Sequence, residues 1–278
     1  MRLALIANDA SGRGLDPEEI AGALRRRGAD VSLHPISERA AAEEEGVDRI
    51  VAAGGDGSIG CCAELAGRLG VPLAVIPLGT ANDFARAHDL ARDLGDAVEL
   101  AVAGRRLERL ELGRLDGRPF VNVASAGLAP EAARHAHDHK SWLGPLAYLV
   151  GAAQAGLTAR PVRCAVRVDG ELLYAGAAWQ IIVSVSGAFG GGSSVEEADP
   201  ADGVLHVTVV PAGSRLGLLR RAAGMRRGDI AGQPGVPDTE GRVIDLGLDG
   251  GARLNVDGEV CAPGRLTVEP AAFELVVG

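Results

Sequence analysis

The sequence predicts a two-part fold. An α/β domain with a parallel sheet and flanking helices spans residues 1–112, and a mostly β sandwich domain spans 113–278, with the last strand free to return to the first domain. Three observations carry this. Over roughly the first hundred residues short apolar runs alternate with helical stretches, the order that builds a parallel sheet covered by helices. Polar, glycine-bearing loops follow three of those runs, at Asn8 to Gly14, Gly54 to Ser58 and Pro77 to Arg86, and ligands of open parallel sheets bind at the carboxyl ends of strands. From Pro161 onward the pattern changes to strands punctuated by turn residues, as in an antiparallel sandwich.

Each element has its own local reason. Residues 3 to 7 form an apolar strand, and a helical stretch follows from Pro17 to Arg27. Val31 to Leu33 is the second strand and Glu38 to Glu45 a short acidic helix. Ile50-Val51-Ala52-Ala53 reads as a buried strand, and Ile59 to Leu69, rich in Ala, Leu and Glu, as the helix after its glycine loop. Pro72 to Ile76 is another buried strand, and Asn82 or Asp83 caps the helix that its loop opens. A helix over about Asp93 to Ala103 leads to a hairpin, Arg106 to Leu112 and Phe120 to Ala124, turning at Asp116-Gly117. Val162 to Val168 alternates inward and outward and turns at Asp169-Gly170 into Glu171 to Ala177. Trp179 to Ser186 is a strongly apolar strand, Gly187 to Gly192 a glycine-dense loop, and Val204 to Val210 resumes the sheet. A helix at Arg215 to Arg227 interrupts before strands return from Val243 to Val277.

Composition narrows the function. The 278 residues are 47% hydrophobic but only 3% aromatic, so the core is built from Ala, Val and Leu. A formal charge of −9 argues against a nucleic-acid partner. Lys140 is the only lysine and no GxxxxGK[ST] pattern occurs, which excludes a Walker-type phosphate loop. Cys61, Cys62, Cys164 and Cys261 form no CxxC pair, and the amino-terminal residues read as a strand rather than a secretory signal. A reducing cytoplasm is the expected setting, with the vicinal cysteines as packing residues.

A strand, a glycine turn and a helix together aim backbone N–H groups and a helix N-terminus at an anion. The glycines let the backbone approach a phosphate and permit positive φ. Gly-Gly-Asp-Gly by itself is also what a tight strand-to-helix connection requires; a second such loop on the same rim tips the balance toward a ligand. Asp56 inside the first loop would repel a phosphate unless a cation lay between them. Mg²⁺, held through carboxylates and substrate phosphates, resolves that conflict. The expectation is a Mg-nucleotide site.

GGDGS at 54–58 followed by PLGTANDFAR at 77–86 resembles the catalytic domain of the diacylglycerol kinase family, which includes bacterial lipid kinases and sphingosine and ceramide kinases. NAD kinases share the GGDG loop, so the implied fold is NAD kinase/diacylglycerol kinase-like. The resemblance runs through nearly the whole chain: opening loop, both glycine motifs, Asp202-Gly203 and a C-terminal Asp-Gly-Glu, in order. It implies that Asn8, Ser11, Gly12, Gly54, Gly55, Gly57, Ser58, Gly79, Thr80 and Asn82 surround the nucleotide, and that Asp56, Asp83 and Glu111 form an acidic network ordering Mg²⁺ and water. Two departures stand out: Asp9 occupies a usual proline position, and Glu111 stands where the family has aspartate.

Val-Asp-Gly-Glu occurs twice, at 168–171 and 256–259, and both copies read as hairpin turns. Spacing does not separate them. The resemblance does, giving the catalytic carboxylates to Asp257 and Glu259, with Asp56 a competitor for the general base, and leaving Asp169-Gly170-Glu171 structural. It also implies a second Mg²⁺ position at Asp199, Asp202 and Val204, although Ser193 to Glu197 departs from the family's apolar, proline-bearing run.

The function so implied is an ATP-dependent lipid kinase of phospholipid metabolism. It would move the γ-phosphate of ATP to a lipid hydroxyl, diacylglycerol to phosphatidic acid first among them. A sphingoid or ceramide kinase and an NAD kinase-like enzyme acting on a soluble alcohol are the alternatives. Residues 141–159 carry no charge, which suits a buried helix or a lipid groove more than a membrane span. Arg215, Arg220, Arg221, Arg226 and Arg227 surround Leu216, Leu218, Leu219 and Met225. Such a helix either docks on anionic headgroups or caps the sandwich in water. His135, His137 and His139 alternate just before the charge-free segment, and a solvated helix end accounts for them without zinc. The expected setting is cytoplasmic, with peripheral contact at the inner face of the membrane; a monomer and a homodimer both remain open.

Overall fold

A computed structural model of the chain describes residues 1–8, 15–127, 160–189, 193–194, 199–214 and 233–278. Ser11, Gly12, the charge-free segment, the three histidines and the basic helix lie outside them. Strands β1 (Arg2–Ala7), β2 (Asp30–Pro35), β3 (Arg49–Gly54) and β4 (Leu73–Pro77) pair in parallel in the order β4-β3-β1-β2. Every residue of β3 and β4 is buried, as required of strands covered on both faces. The two-residue period sorts their side chains. Leu3, Leu5, Val51, Ala53, Ala74 and Ile76 pack with Ile20 and Leu24 of α1 (Pro17–Arg26). Ile6, Ile50, Ala52 and Val75 face Ile59, Leu65 and Ala66 of α2 (Asp56–Leu69) on the other side.

The helices carry ordinary end signals. Asp16 caps α1 by accepting from the Glu18 N–H, Pro17 begins it, and Arg25 and Arg26 complement its C-terminal dipole. Gly70 closes α2 in the left-handed conformation at φ 65°. Two short helices follow, α3 (Asp83–Ala87) and α4 (Leu94–Ala103). The acidic stretch after β2 is a 3-10 helix over Ile36–Glu44 with a break at Glu38. Only Ala42 is buried there and no side chain caps its start, so little packing holds a longer α-helix.

The second half is β-rich. It comprises β5 (Arg106–Leu115), β6 (Arg118–Phe120), β7 (Val123–Gly127), β8 (Val162–Val168), β9 (Glu171–Ser184) and the paired β10 (Ala188–Phe189) and β11 (Ser193–Ser194). Then come β12 (Leu205–Pro211), β13 (Asp238–Gly241), β14 (Val243–Leu248), β15 (Leu254–Val256), β16 (Glu259–Cys261) and β17 (Arg265–Val277). Residues 171–177 and 179–186, read from sequence as two strands, belong mostly to the single strand β9. Its first half pairs with β8 and its second half with β7 and β12, so two different neighbours sustain one long strand.

β17 joins the halves. It runs antiparallel to β5 and β14, shifts register between Glu269 and Phe273, and ends parallel to β4 with Leu275 opposite Leu73. The main path of the sheet is β16-β15-β7-β9-β8-β14-β17-β4-β3-β1-β2. The architecture is therefore an α/β N-terminal part with a mostly parallel sheet and a β-rich C-terminal part. No helix among the described residues is long and apolar enough to cross a membrane. Cys62 lies in the core, where burial pushes its thiol up to about 12, consistent with a packing residue.

Candidate active site

The two glycine loops touch. Leu78 N–H donates to Gly54 C=O at 2.9 Å, and a Cβ on Gly79 would lie 2.7 Å from Gly55 Cα. A Cβ on Gly54 would meet Ser58 Oγ at 2.8 Å. None of Gly54, Gly55, Gly57 and Gly79 has positive φ. Their glycine identity serves close approach, not an unusual backbone angle. Asn8 joins them: its N–H donates to Ala53 C=O at 3.1 Å and its Nδ2 to Ser58 Oγ at 2.9 Å. Ser58 is buried, whereas Thr80 is exposed at the rim.

Asp56 is the first residue of α2, yet its carboxylate caps a different helix. Oδ2 accepts the Asp83 N–H at 3.1 Å and Oδ1 the Phe84 N–H at 2.9 Å, which satisfies the opening turn of α3. Neither Asn82 nor Asp83 caps α3 through its own side chain, contrary to the sequence expectation. Asn82 is instead left-handed at φ 49°, its Nδ2 turned back to Gly79 C=O at 2.9 Å, and its buried Oδ1 has no partner among the described residues. Asp83 is buried and paired with Arg86.

Asp257 sits at φ 46° in the turn between β15 and β16. Its Oδ2 accepts the Val121 N–H at 2.7 Å, and its Oδ1 those of Asn122 at 3.1 Å and Val123 at 3.0 Å. Burial pushes its carboxyl up to about 7, assisted by the Asp56 charge and opposed by those N–H groups. Glu259 reaches toward α2: a Cβ on Gly57 would lie 3.3 Å from Glu259 Oε1, while Oε2 pairs with Arg118. The other Val-Asp-Gly-Glu uses the same device elsewhere. Asp169, at φ 50°, accepts from Val243 N–H at 2.9 Å and Arg242 N–H at 3.1 Å, pinning the β8–β9 turn to β14.

Glu111 is where the expected arrangement changes. Its Oε2 accepts the Gly203 N–H at 2.6 Å and its own N–H donates to Pro200 C=O at 3.0 Å. Its contacts therefore lie with the Asp199–Gly203 loop rather than in a triangle with Asp56 and Asp83. Burial pushes its carboxyl up to about 7, against the Gly203 bond and with the charges of Asp202 and Asp199. Glu111 Oε1 is buried without a partner among the described residues.

Within that loop Asp202 Oδ1 accepts the Val204 N–H at 2.9 Å, Oδ2 meets His206 Nε2 at 2.8 Å, and Asp199 Oδ1 accepts the Ala201 N–H at 3.0 Å. Among the described residues no three His, Cys, Asp or Glu side chains converge to hold an ion by themselves. A cation here would need backbone carbonyls too, and the orphaned Glu111 Oε1 with its two acidic neighbours suits one.

Sequence reading passed over Arg118 and Asn122. Asn122 donates from Nδ2 to Asp56 Oδ1 at 3.3 Å and accepts from Ser186 Oγ at 2.9 Å, with those partners 66 and 64 residues away. No local pattern announces such a residue.

A strand-end rim with touching glycine loops, a helix start beside them and a carboxylate facing in from the second half is the framework of a kinase. Residues 2–115 match the diacylglycerol kinase catalytic domain, and residues 122–277 match the YegS C-terminal NAD kinase beta sandwich-like domain. The chain belongs to the diacylglycerol kinase catalytic-domain family, and it is a kinase.

It is 28% identical over 275 residues to the diacylglycerol kinase of Bacillus subtilis, covering 93% of this chain and 89% of the relative. To that of Staphylococcus aureus strain Newman it is 26% identical over 272 residues, covering 93% and 86%. A diacylglycerol kinase structure from Bacillus anthracis superposes with a TM-score of 0.78 at 19% identity, covering 100% of this chain and 97% of that one. An NAD kinase from Archaeoglobus fulgidus in complex with ATP gives 0.52 at 18%, covering 100% and 93%. At those identities the two structures speak to the fold alone.

Proposed function

We propose that the protein transfers the γ-phosphoryl group of ATP to a lipid hydroxyl, with diacylglycerol as acceptor and phosphatidic acid as product. The observation that carries this reading is the opposition of Glu259 Oε1 and Gly57, which sets a carboxylate of the second half against the first turn of α2. Phosphoryl transfer needs a phosphate cradle, charge neutralisation and a group that orients the acceptor. Among the described residues, Asn8, Gly54, Gly55, Gly57, Ser58, Gly79, Thr80 and Asn82 would surround the nucleotide. Asn82 Oδ1, which has no partner among the described residues, can accept from a hydroxyl or amino group of the nucleotide.

Mg²⁺, when bound, neutralises charge on the phosphates. Asp56 accepts from Asp83, Phe84 and Asn122, and held in this way it would order water around the ion. Asp83 shares that role. Asp199, Asp202 and Val204, with Glu111 beside them, would hold a second cation. Both Asp257 oxygens are spent on backbone N–H groups, whereas Glu259 Oε1 faces α2. Glu259 is therefore the general base that takes the acceptor proton, and Asp257 builds the turn that presents it.

The lipid acceptor is supported by the names of relatives at 26–28% identity that align along nearly their whole length. Such an acceptor implies an enzyme of the cytoplasm, in peripheral contact with the inner membrane face. A second reading, a soluble alcohol acceptor, follows from the GGDG loop at 54–57 that NAD kinases share. Labelled ATP, Mg²⁺ and mixed micelles of diacylglycerol, sphingosine or ceramide, with NAD as a separate arm, decide between them. Transfer to diacylglycerol is expected; transfer to NAD and to no lipid overturns the lipid assignment.

A further inference from the structure

We propose that Asn122 is the positioning residue that ties the phosphate-side carboxylate Asp56 to the acceptor-side turn at Asp257. The inference rests on the kinase reading and adds a residue that the glycine and Asp-Gly-Glu motifs do not contain. Asn122 lies between β6 and β7 and is 3% exposed. Its four polar groups reach four places. The backbone N–H donates to Asp257 Oδ1 at 3.1 Å, and the backbone C=O accepts the Val185 N–H at 2.9 Å. Side-chain Nδ2 donates to Asp56 Oδ1 at 3.3 Å, and Oδ1 accepts the Ser186 hydroxyl at 2.9 Å.

The chemistry of the site selects an asparagine. A donor must face Asp56 and an acceptor must face Ser186, within one short planar group. Aspartate has the same shape but would set an oxygen against the Asp56 carboxylate. Leucine would remove both the bond to Asp56 Oδ1 and the bond from Ser186 in a buried setting. The Asp56 carboxylate, which only accepts, decides which end of the amide faces it, and the Ser186 hydroxyl holds the other end by donating to Oδ1. Without Ser186 the amide keeps its sense but loses the anchor that fixes its plane.

Asn122 acts through its protein partners Asp56, Asp257 and Ser186. It governs where Asp56 and the Asp257–Glu259 turn stand relative to each other. Reacting groups misplaced by about 1 Å cost on the order of a hundredfold in rate even when binding survives. Its loss should therefore appear in kcat, with nucleotide affinity little changed.

The test compares Asn122→Asp, Asn122→Ala and Ser186→Ala with the wild type, measuring kcat and KM for ATP and acceptor, with thermal unfolding to confirm folding. Asn122→Asp is expected to lose about a hundredfold in kcat with KM for ATP within about threefold. Ser186→Ala should fall in the same direction by about tenfold. Combining Asn122→Ala with Asp56→Asn should cost little more than Asp56→Asn alone, because both act through one contact. Wild-type kcat in folded Asn122→Asp, or full multiplication of the two losses in the double variant, overturns the proposal and leaves the kinase reading intact. Should Asn122→Asp fail to fold, unchanged kcat in folded Ser186→Ala is equally decisive against it. A wild type that phosphorylates no acceptor overturns both together.

Discussion

The carboxylate of Asp56 caps the helix that begins at Asp83, accepting the Asp83 N–H at 3.1 Å and the Phe84 N–H at 2.9 Å. One acid in the first glycine loop therefore holds the second loop in place. It meets the opening N–H groups of α3 where a helix start attracts negative charge.

Asp56→Ala should then lose on two counts. Removing a capping carboxylate costs about 1–2 kcal/mol of stability. Phosphoryl transfer should fall by orders of magnitude in the protein that still folds. Urea unfolding alongside steady-state kinetics checks both; unchanged stability would show that α3 does not rely on this cap.

Asp257 and Glu259 should separate cleanly. Asp257→Asn replaces an acceptor oxygen with an amide NH₂ facing backbone N–H groups, at a cost of about 1–3 kcal/mol. Glu259→Gln alters a half-exposed side chain whose ion pair with Arg118 contributes little to stability. Its effect should fall on turnover, a loss of about 10²–10⁴-fold. A Glu259→Gln enzyme that turns over normally would return the general-base role to another carboxylate.

Stability should decline with rising pH in metal-free buffer. Burial raises the Glu111 carboxyl from 4.5 to about 7, so the folded state binds its proton more tightly than the unfolded chain does. That contribution is complete below the unfolded value and is lost as pH rises through about 7. Asp257 is raised to about 7 and acts in the same sense. Glu111→Gln keeps an acceptor for Gly203 and removes one titration. The wild type should therefore lose on the order of 1–3 kcal/mol more than the variant between roughly pH 5 and roughly pH 8. Parallel pH profiles from denaturant melts would contradict the assignment.

Two glycines distinguish packing from ligand binding. A Cβ on Gly67 would fall 2.1 Å from Ala272 C=O, so Gly67→Ala must part α2 from β17 and should cost about 1–3 kcal/mol or more. A Cβ on Gly79 would meet Gly55 Cα at 2.7 Å and Asn82 Oδ1 at 2.8 Å. Gly79→Ala should part the two loops and weaken ATP binding by at least about tenfold. Calorimetry with ATP should show that loss in Gly79→Ala and near-normal affinity in folded Gly67→Ala.

What could be read from the sequence was what local chemistry encodes. The apolar runs at 3–7, 50–53 and 72–76 lie almost wholly within β1, β3 and β4, because a buried parallel strand is apolar on both faces. The loops between them announced themselves through glycine, and α1 was read as a helical stretch beginning at Pro17. β9 was less legible: the sequence reads as one strand ending at Ala177 and another beginning at Trp179, and only pairing on both edges keeps the strand continuous.

For the site, the sequence by itself marked the acids and glycines but not their partners. Two identical Val-Asp-Gly-Glu turns are distinguished by position alone, one pinned to β14 and the other holding residues 121–123 beside α2. Glu111 was drawn to the Asp199–Gly203 loop across 92 residues, and Asp56 to α3 across 27. Asn122 carried no signal at all. Periodicity and turn propensity report on neighbours a few residues away, whereas a buried polar group takes whichever partner the packed chain brings within hydrogen-bond reach. The tertiary structure made those choices.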